Sequence, residues 1–149
     1  MSNERKLHGS PLVRFLFLVY AALMIWLLFL QRINKVIVAE ENWNFIPFAT
    51  LKIYWKLLIS EKPLYVRHAV INLAGNVVMF VPLGAFLPAI WLGCRKFLRL
   101  AVTSAGLIIL IEALQYITGL GSCDVDDVIL NLPGIFIGYL VCKMWFRKH

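Results

Sequence analysis

The stretch AVINLAGNVVMFVPLGAFLPAIWL, residues 69–92, decides the fold of this chain. It holds 24 consecutive residues without a charged side chain. A helix of that length extends about 36 Å at about 1.5 Å per residue, which exceeds the roughly 30 Å hydrocarbon core of a bilayer. Three other apolar stretches, residues 12–30, 100–117 and 128–146, are also long enough to span. The sequence therefore predicts an all-α membrane protein with four transmembrane helices.

The composition excludes an ordinary soluble domain. Of the 149 residues, 61% are hydrophobic and only 15% are charged, and the mean hydropathy is +0.79. A water-soluble fold of this size could not bury so much apolar surface. We predict a single membrane domain over residues 1–149. The first stretch follows basic residues, as a secretory signal would, but its apolar run is long and we interpret it as a retained helix.

The net charge and the cysteine spacing indicate which partners and cofactors to expect. The net charge is +7, yet the basic residues lie in short loops and tails rather than on one binding face. We therefore predict membrane lipid, and no nucleic acid, as the partner of these charges. The three cysteines are scattered without a CxxC spacing, so we expect neither a metal site nor a cofactor.

The distribution of basic residues predicts the orientation. If the four helices alternate, the N-terminal tail, the loop at 93–99 and the C-terminal end share one side of the membrane. These segments and the adjoining helix ends hold nine of the fifteen basic residues, whereas the loop at 118–127 holds none and carries three aspartates. The positive-inside rule then places both termini in the cytoplasm.

The long loop before the second span has a helical pattern of its own, in residues 43–60. Phe48, Leu51, Trp55 and Leu58 recur at helical spacing, with lysines on another face. This pattern predicts an extracytoplasmic amphipathic helix that lies in the membrane interface, or a re-entrant segment packed on the bundle. A fifth span would require both lysines to be sheltered from lipid.

Polar residues recur near the predicted outer end of three spans. A charged side chain costs about 2.5 to 3.5 kcal/mol at the centre of a bilayer, so these positions are informative. Glu112 stands out, because interhelical hydrogen bonding does not require an ionisable carboxyl group. We expect the group to converge on one outward-facing pocket. Its members are His68, Asn72 and Asn76 on the second span, Glu112 and Gln115 on the third, and Asp124, Asp126, Asp127 and Asn131 at the start of the fourth.

Each of these residues also has a purely structural interpretation. The asparagines and Gln115 can join helices by hydrogen bonds, typically worth about 0.6 to 2 kcal/mol in membranes. Asp124 and Asp127 have the spacing of a helix N-cap and its third-position partner. His68 at the entrance of a span is typical of an interfacial residue.

The chain resembles the VanZ-like family of bacterial membrane proteins through four motifs in the family's order. The resemblance implies a small polytopic protein of the bacterial cell membrane, associated with lowered susceptibility to teicoplanin-type lipoglycopeptides, and adds Asn44 to the candidate site. Two positions of the fourth motif depart from the family, because Gly121-Ser122-Cys123 lacks a basic residue and Pro133 replaces a larger aliphatic one. The motifs are Asn44-x-Ile46-Pro47-Phe48, Asn72-x3-Asn76-x3-Phe80-x-Pro82-Leu83-Gly84, Glu112-x2-Gln115, and Asp124-x-Asp126-Asp127-x3-Asn131-x2-Gly134-x3-Gly138-Tyr139.

Three classes of function fit these observations. The leading hypothesis is a non-enzymatic envelope protein whose pocket binds a lipid head group, a lipid-linked cell-wall precursor or a lipoglycopeptide. The alternative is an intramembrane enzyme acting on a lipid-linked substrate, with Glu112, Asp127 and His68 as candidate catalytic residues and the Asp124/Asp127 cluster beside them. The third is an assembly subunit in which the same polar groups only join helices. The sequence leaves the ligand and the oligomeric state open.

Overall fold

The computed structural model describes residues 9–29, 43–120 and 123–148, and this part of the chain is almost entirely helical. Two features used in the predictions lie outside the described residues. They are the basic residues Arg5 and Lys6 of the N-terminal tail, and Gly121 and Ser122, where the sequence departs from the family's fourth motif. The elements in chain order are α1 (Pro11–Leu28), β1 (Trp43–Asn44), α2 (Ala49–Leu58), α3 (Pro63–Ile90), a 3-10 turn (Leu92–Arg95), α4 (Phe97–Thr118), β2 (Cys123–Asp124) and α5 (Val125–Lys148).

Four of the described helices, α1, α3, α4 and α5, are long and apolar enough to cross a membrane. The prediction of an all-helical protein with four transmembrane helices is therefore confirmed. Helix α3 begins at Pro63, ahead of residue 69 where the apolar stretch starts. Its 28 residues extend about 42 Å, which is more than the thickness of a bilayer core, and Arg67 and His68 in its first turns are exposed.

Helix α2 is too short to span. Its ten residues cover about 15 Å, half the thickness of the hydrocarbon core. It packs against α3 and the start of α5, and none of its side chains is buried. The helix lies within the region predicted to be amphipathic, at the end of the bundle where α3 and α5 begin.

The centre of the fold is a close contact between α3 and α5, which run parallel. A methyl group added at Gly134 would overlap the carbonyl oxygen of Val77, and one at Gly138 would overlap that of Val81. Gly84 makes the reciprocal contact, since a methyl group there would overlap the carbonyl of Ile135. Small residues allow two backbones to touch inside a membrane, where helix association depends on packing.

Helix α1 is peripheral by comparison. Met24 is its one buried residue, and most of its other side chains face outward. Hydrogen bonds attach it to the rest of the bundle, since the Tyr20 hydroxyl donates to the carbonyl of Met79 at 2.8 Å and the Gln115 amide donates to the carbonyl of Leu28 at 2.9 Å. Gln115 thus acts as a link between α4 and the end of α1.

Candidate functional site

A two-residue parallel bridge brings the segment before α2 to the start of α5. Trp43 pairs with Cys123 and Asn44 pairs with Asp124. These residues are about 80 positions apart in the chain, so the pairing joins two distant segments at one end of the bundle. The bridge places the first turn of α2 beside the aspartates that precede and begin α5.

Asp126 caps the N-terminus of α2 from this distant position. Its side chain is fully buried, with no exposed surface. One carboxylate oxygen accepts a hydrogen bond from the backbone N–H of Phe48 at 2.6 Å, and the other accepts from those of Thr50 at 2.8 Å and Leu51 at 3.2 Å. Helix α2 has no side-chain cap of its own, because its N-cap residue is Phe48. An anion among the free N–H groups of a helix start is stabilised by them and by the helix dipole.

Asp124 joins the same two segments through side chains. One of its oxygens accepts from the Asn44 amide and from the backbone N–H of Asp126, each at 2.9 Å. Its other oxygen accepts from the Thr50 hydroxyl. Each carboxylate therefore receives three hydrogen bonds. We call this arrangement of Asp124 and Asp126 around residues 44–51 the aspartate clasp.

Glu112 lies directly beside the clasp. Its side chain is 7% exposed, and its carboxylate accepts a hydrogen bond from the backbone N–H of Asp124 at 3.3 Å. Helix α4 thus contributes an acidic group to the point where α2 and α5 meet. The structure brings together four of the predicted site residues here, namely Asn44, Glu112, Asp124 and Asp126.

A largely apolar groove opens next to Glu112. It consists of two adjoining cavities of about 340 and 320 Å³ that share Phe45 and Cys123. We call it the Phe45 groove. Glu112 and Asp124 form part of the wall of the larger cavity. The remaining lining is Ile109, Val125, Val128 and Ile129 in the larger cavity and Ala113, Tyr116 and Ile117 in the smaller one.

Cys123 reports the electrostatics of the groove. Burial raises the pKa of its thiol, and the negative charges of Glu112, Asp124 and Asp127 raise it further. Asp127 therefore contributes charge to the same region. The thiol is protonated at neutral pH, because a raised pKa lowers the thiolate fraction below that of an ordinary cysteine.

The other predicted site residues lie apart from the clasp. Asn72 donates a hydrogen bond to the carbonyl of His68 at 2.8 Å, within the first turns of α3. Asn76 is half-buried one turn further along, and Asn131 is almost fully buried in α5. The hydrogen bonds of the described residues do not connect Asn72, Asn76 or Asn131 to the clasp. Within that part of the chain the Asn131 side-chain oxygen has no hydrogen-bond partner.

Sequence reasoning missed three residues of this site: Phe45, Thr50 and Cys123. Thr50 and Phe45 lie near the Asn44 motif, but neither residue type indicates a contact with α5. The one available signal was the presence of the Asn44 and Asp124 motifs in the same family pattern. The structure shows that these two motifs form the two sides of the clasp.

Taken together, the four spanning helices and the clasp define a small polytopic membrane protein with a short loop helix held at one end of its bundle. A model of the VanZ/LLP1 family matches residues 17–147, and the chain belongs to this family. The resemblance inferred from the four motifs is therefore confirmed. Membership places the chain among multi-pass membrane proteins linked to glycopeptide resistance. No curated protein and no solved structure matches the chain.

Proposed function

We propose that this protein binds an amphiphile of the bacterial envelope in the Phe45 groove. The alkyl chain of the ligand lies along the apolar wall, and its head group lies beside Glu112. The observation that carries the proposal is the composition of the groove, whose walls are almost wholly apolar and whose lining residues include the acidic Glu112. Ligand sites in proteins typically combine apolar walls with a few placed polar groups.

The position of the groove suits a ligand that arrives from the bilayer. Ile109 and Ile117 line it and are more than half exposed on the surface of α4. In a membrane that surface faces lipid. An alkyl chain can enter sideways without crossing water, while its head group stays near the end of the bundle where polar residues collect.

Glu112 favours a head group that donates hydrogen bonds, whereas Asp124 already accepts three hydrogen bonds within the clasp. An ionised carboxylate only accepts hydrogen bonds, so it pairs with amines, hydroxyls and amide N–H groups. Lipid head groups, lipid-linked cell-wall precursors and acylated glycopeptides all contain such donors. This chemistry supports all three ligand classes equally and does not distinguish one from another.

The same geometry gives less support to an intramembrane enzyme. Asp124 and Asp126 each accept three hydrogen bonds from the protein itself, so both carboxylates are engaged in holding α2 against α5. The protonated thiol of Cys123 is a poor nucleophile, since the thiolate is the reactive form. His68 lies on α3 with Asn72 rather than among the residues of the groove.

Native mass spectrometry of the purified protein tests the proposal with a matched pair of variants. Ile109 lines the groove and Leu110, next to it on α4, does not, yet the two are 58% and 55% exposed. Ile109→Trp should fill the groove and abolish the co-purified amphiphile, whereas Leu110→Trp should retain it. Thermal melting of both variants shows that the fold is intact. The same adducts on wild type and both variants would contradict the proposal.

A further inference from the structure

We propose that the outer face of α2 binds the head groups of anionic phospholipids. We define this α2 surface as Lys52, Ile53, Trp55, Lys56 and Ile59. It is separate from the Phe45 groove, since none of these residues lines either cavity of the groove. The inference therefore stands independently of the proposed ligand.

The two faces of α2 have different environments. The inner face, with Thr50, Leu51, Tyr54, Leu57 and Leu58 partly buried, packs against α3 and the start of α5. The outer face exposes large apolar side chains, with Trp55 at 66% and Ile59 at 69%. Exposed residues of this size beside a bundle of spanning helices are typical of a helix that lies in the membrane interface.

The outer face is also basic. Residues 49–67 hold four basic side chains and one acidic one, Glu61, which gives a net charge of 4 − 1 = +3. All five charged side chains are exposed. Lysine can place its alkyl stem along apolar surface while its ammonium group reaches the head groups. The basic side chains are Lys52, Lys56, Lys62 and Arg67.

Aromatic residues mark the same level of the membrane. Trp55 lies on the α2 surface, and Tyr65 follows at the start of α3, where the Lys62 ammonium group is 5.2 Å from the centre of the Tyr65 ring. Tryptophan and tyrosine are enriched where a membrane protein meets the head groups. Basic and aromatic residues together on an exposed apolar face match an anionic lipid surface in both charge and polarity.

Trp55 provides the reporter for the test. The full chain is placed in nanodiscs of phosphatidylcholine that contain the same minor fraction of either brominated phosphatidylglycerol or brominated phosphatidylcholine. Subtracting the signal of Trp55→Phe isolates the emission of Trp55. We expect the anionic brominated lipid to quench this emission several-fold more than the zwitterionic one, and high salt to reduce the difference.

Substitution of the two lysines tests whether the preference for anionic lipid depends on their charge. Lys52→Gln with Lys56→Gln should lower the local enrichment of phosphatidylglycerol by about 25-fold, since each lysine near an anionic surface contributes about fivefold. Lys96→Gln, at the opposite end of the bundle, is the control and should leave the quenching unchanged. Melting temperatures verify that the variants are folded.

Two results would overturn the inference. Equal quenching by the two brominated lipids would show that α2 does not select anionic lipid. No quenching of Trp55 by either lipid would show that its face is turned to water or to a protein partner. Neither result would affect the proposed groove ligand, because the α2 surface and the groove have no residue in common.

Discussion

The start and the middle of helix α5 are held by opposite means. Its first turn is held by charge-assisted hydrogen bonds, through which Asp126 and the preceding Asp124 bind a segment almost 80 residues earlier in the chain. Further along, Gly134 and Gly138 hold it by bringing its backbone against that of α3. The start of the helix is held by hydrogen bonds between polar groups, and its middle is held by a contact that the lack of side chains at two glycines allows.

The difference follows from the surroundings of these two parts of α5. Within the hydrocarbon core there is no hydrophobic gain from joining two helices, so packing between small residues provides the attraction. Near the head groups, charged side chains are tolerated and can order a loop. The glycine contact therefore determines whether the bundle forms, whereas the clasp determines where Phe45 and α2 lie. The Phe45 groove lies beside the clasp, because Asp124 forms part of its wall.

The largest effect is expected from a methyl group in the glycine contact. Gly138→Ala should destabilise the fold by about 3 kcal/mol, because the new Cβ overlaps the backbone of α3 and the helices must separate. Gly106→Ala on α4 is the matched control, since nothing lies within 4 Å of its Cβ position. Thermal melting in detergent measures both. Equal melting temperatures for the two variants would contradict the close contact between α3 and α5.

A smaller and more local effect is expected from the clasp. Asp126→Asn keeps the shape of the side chain but replaces a carboxylate that accepts hydrogen bonds from three backbone N–H groups. The change should weaken the attachment of α2 by about 2 kcal/mol. Hydrogen exchange of the Phe48, Thr50 and Leu51 amides should accelerate about thirtyfold, with little change in the spanning helices.

The control for the clasp is Glu61→Gln, which neutralises an exposed carboxylate in the loop between α2 and α3. It should leave the exchange of those three amides unchanged. If Asp126→Asn also left their exchange unchanged, Asp126 would not be the cap of α2.

The smallest effect concerns the charge around the groove. Glu112→Gln removes one of the negative charges that raise the pKa of Cys123, so the thiolate fraction at a given pH should increase. In a background with Cys94→Ala and Cys142→Ala, alkylation of Cys123 at pH 8 should accelerate roughly twofold. The rise of the rate with pH should also move to lower pH. An identical pH profile with and without Glu112→Gln would show that the charge of Glu112 does not raise the pKa of Cys123.

The sequence was sufficient for the features that depend on local hydropathy. The four spans are continuous apolar stretches, and the family motifs could be recognised in order. The proximity of Glu112 to the aspartates was also accessible, because α4 ends and α5 begins within a few residues of each other.

The clasp was not accessible in the same way. Asp126 caps a helix whose residue Thr50 lies 76 positions earlier in the chain. No local sequence pattern indicates which helix start an acidic residue will reach. The pattern instead suggested that Asp124 and Asp127 cap their own helix. His68 and Asn72 were predicted to converge on the shared pocket, yet Asn72 donates its hydrogen bond to the carbonyl of His68 within α3. The sequence does not show whether a polar side chain will find its partner within its own helix or on a neighbouring one.

The most direct test of the groove is the protection of Cys123 by a bound amphiphile. Cys123 lines both cavities of the groove, so a ligand that fills it must shield the thiol. Alkylation of Cys123 is measured in the same two-alanine background with teicoplanin, with deacylated teicoplanin and without either. We predict that teicoplanin slows alkylation several-fold and that the deacylated compound does not. Equal alkylation rates under all three conditions would contradict the binding of the teicoplanin acyl chain in the Phe45 groove.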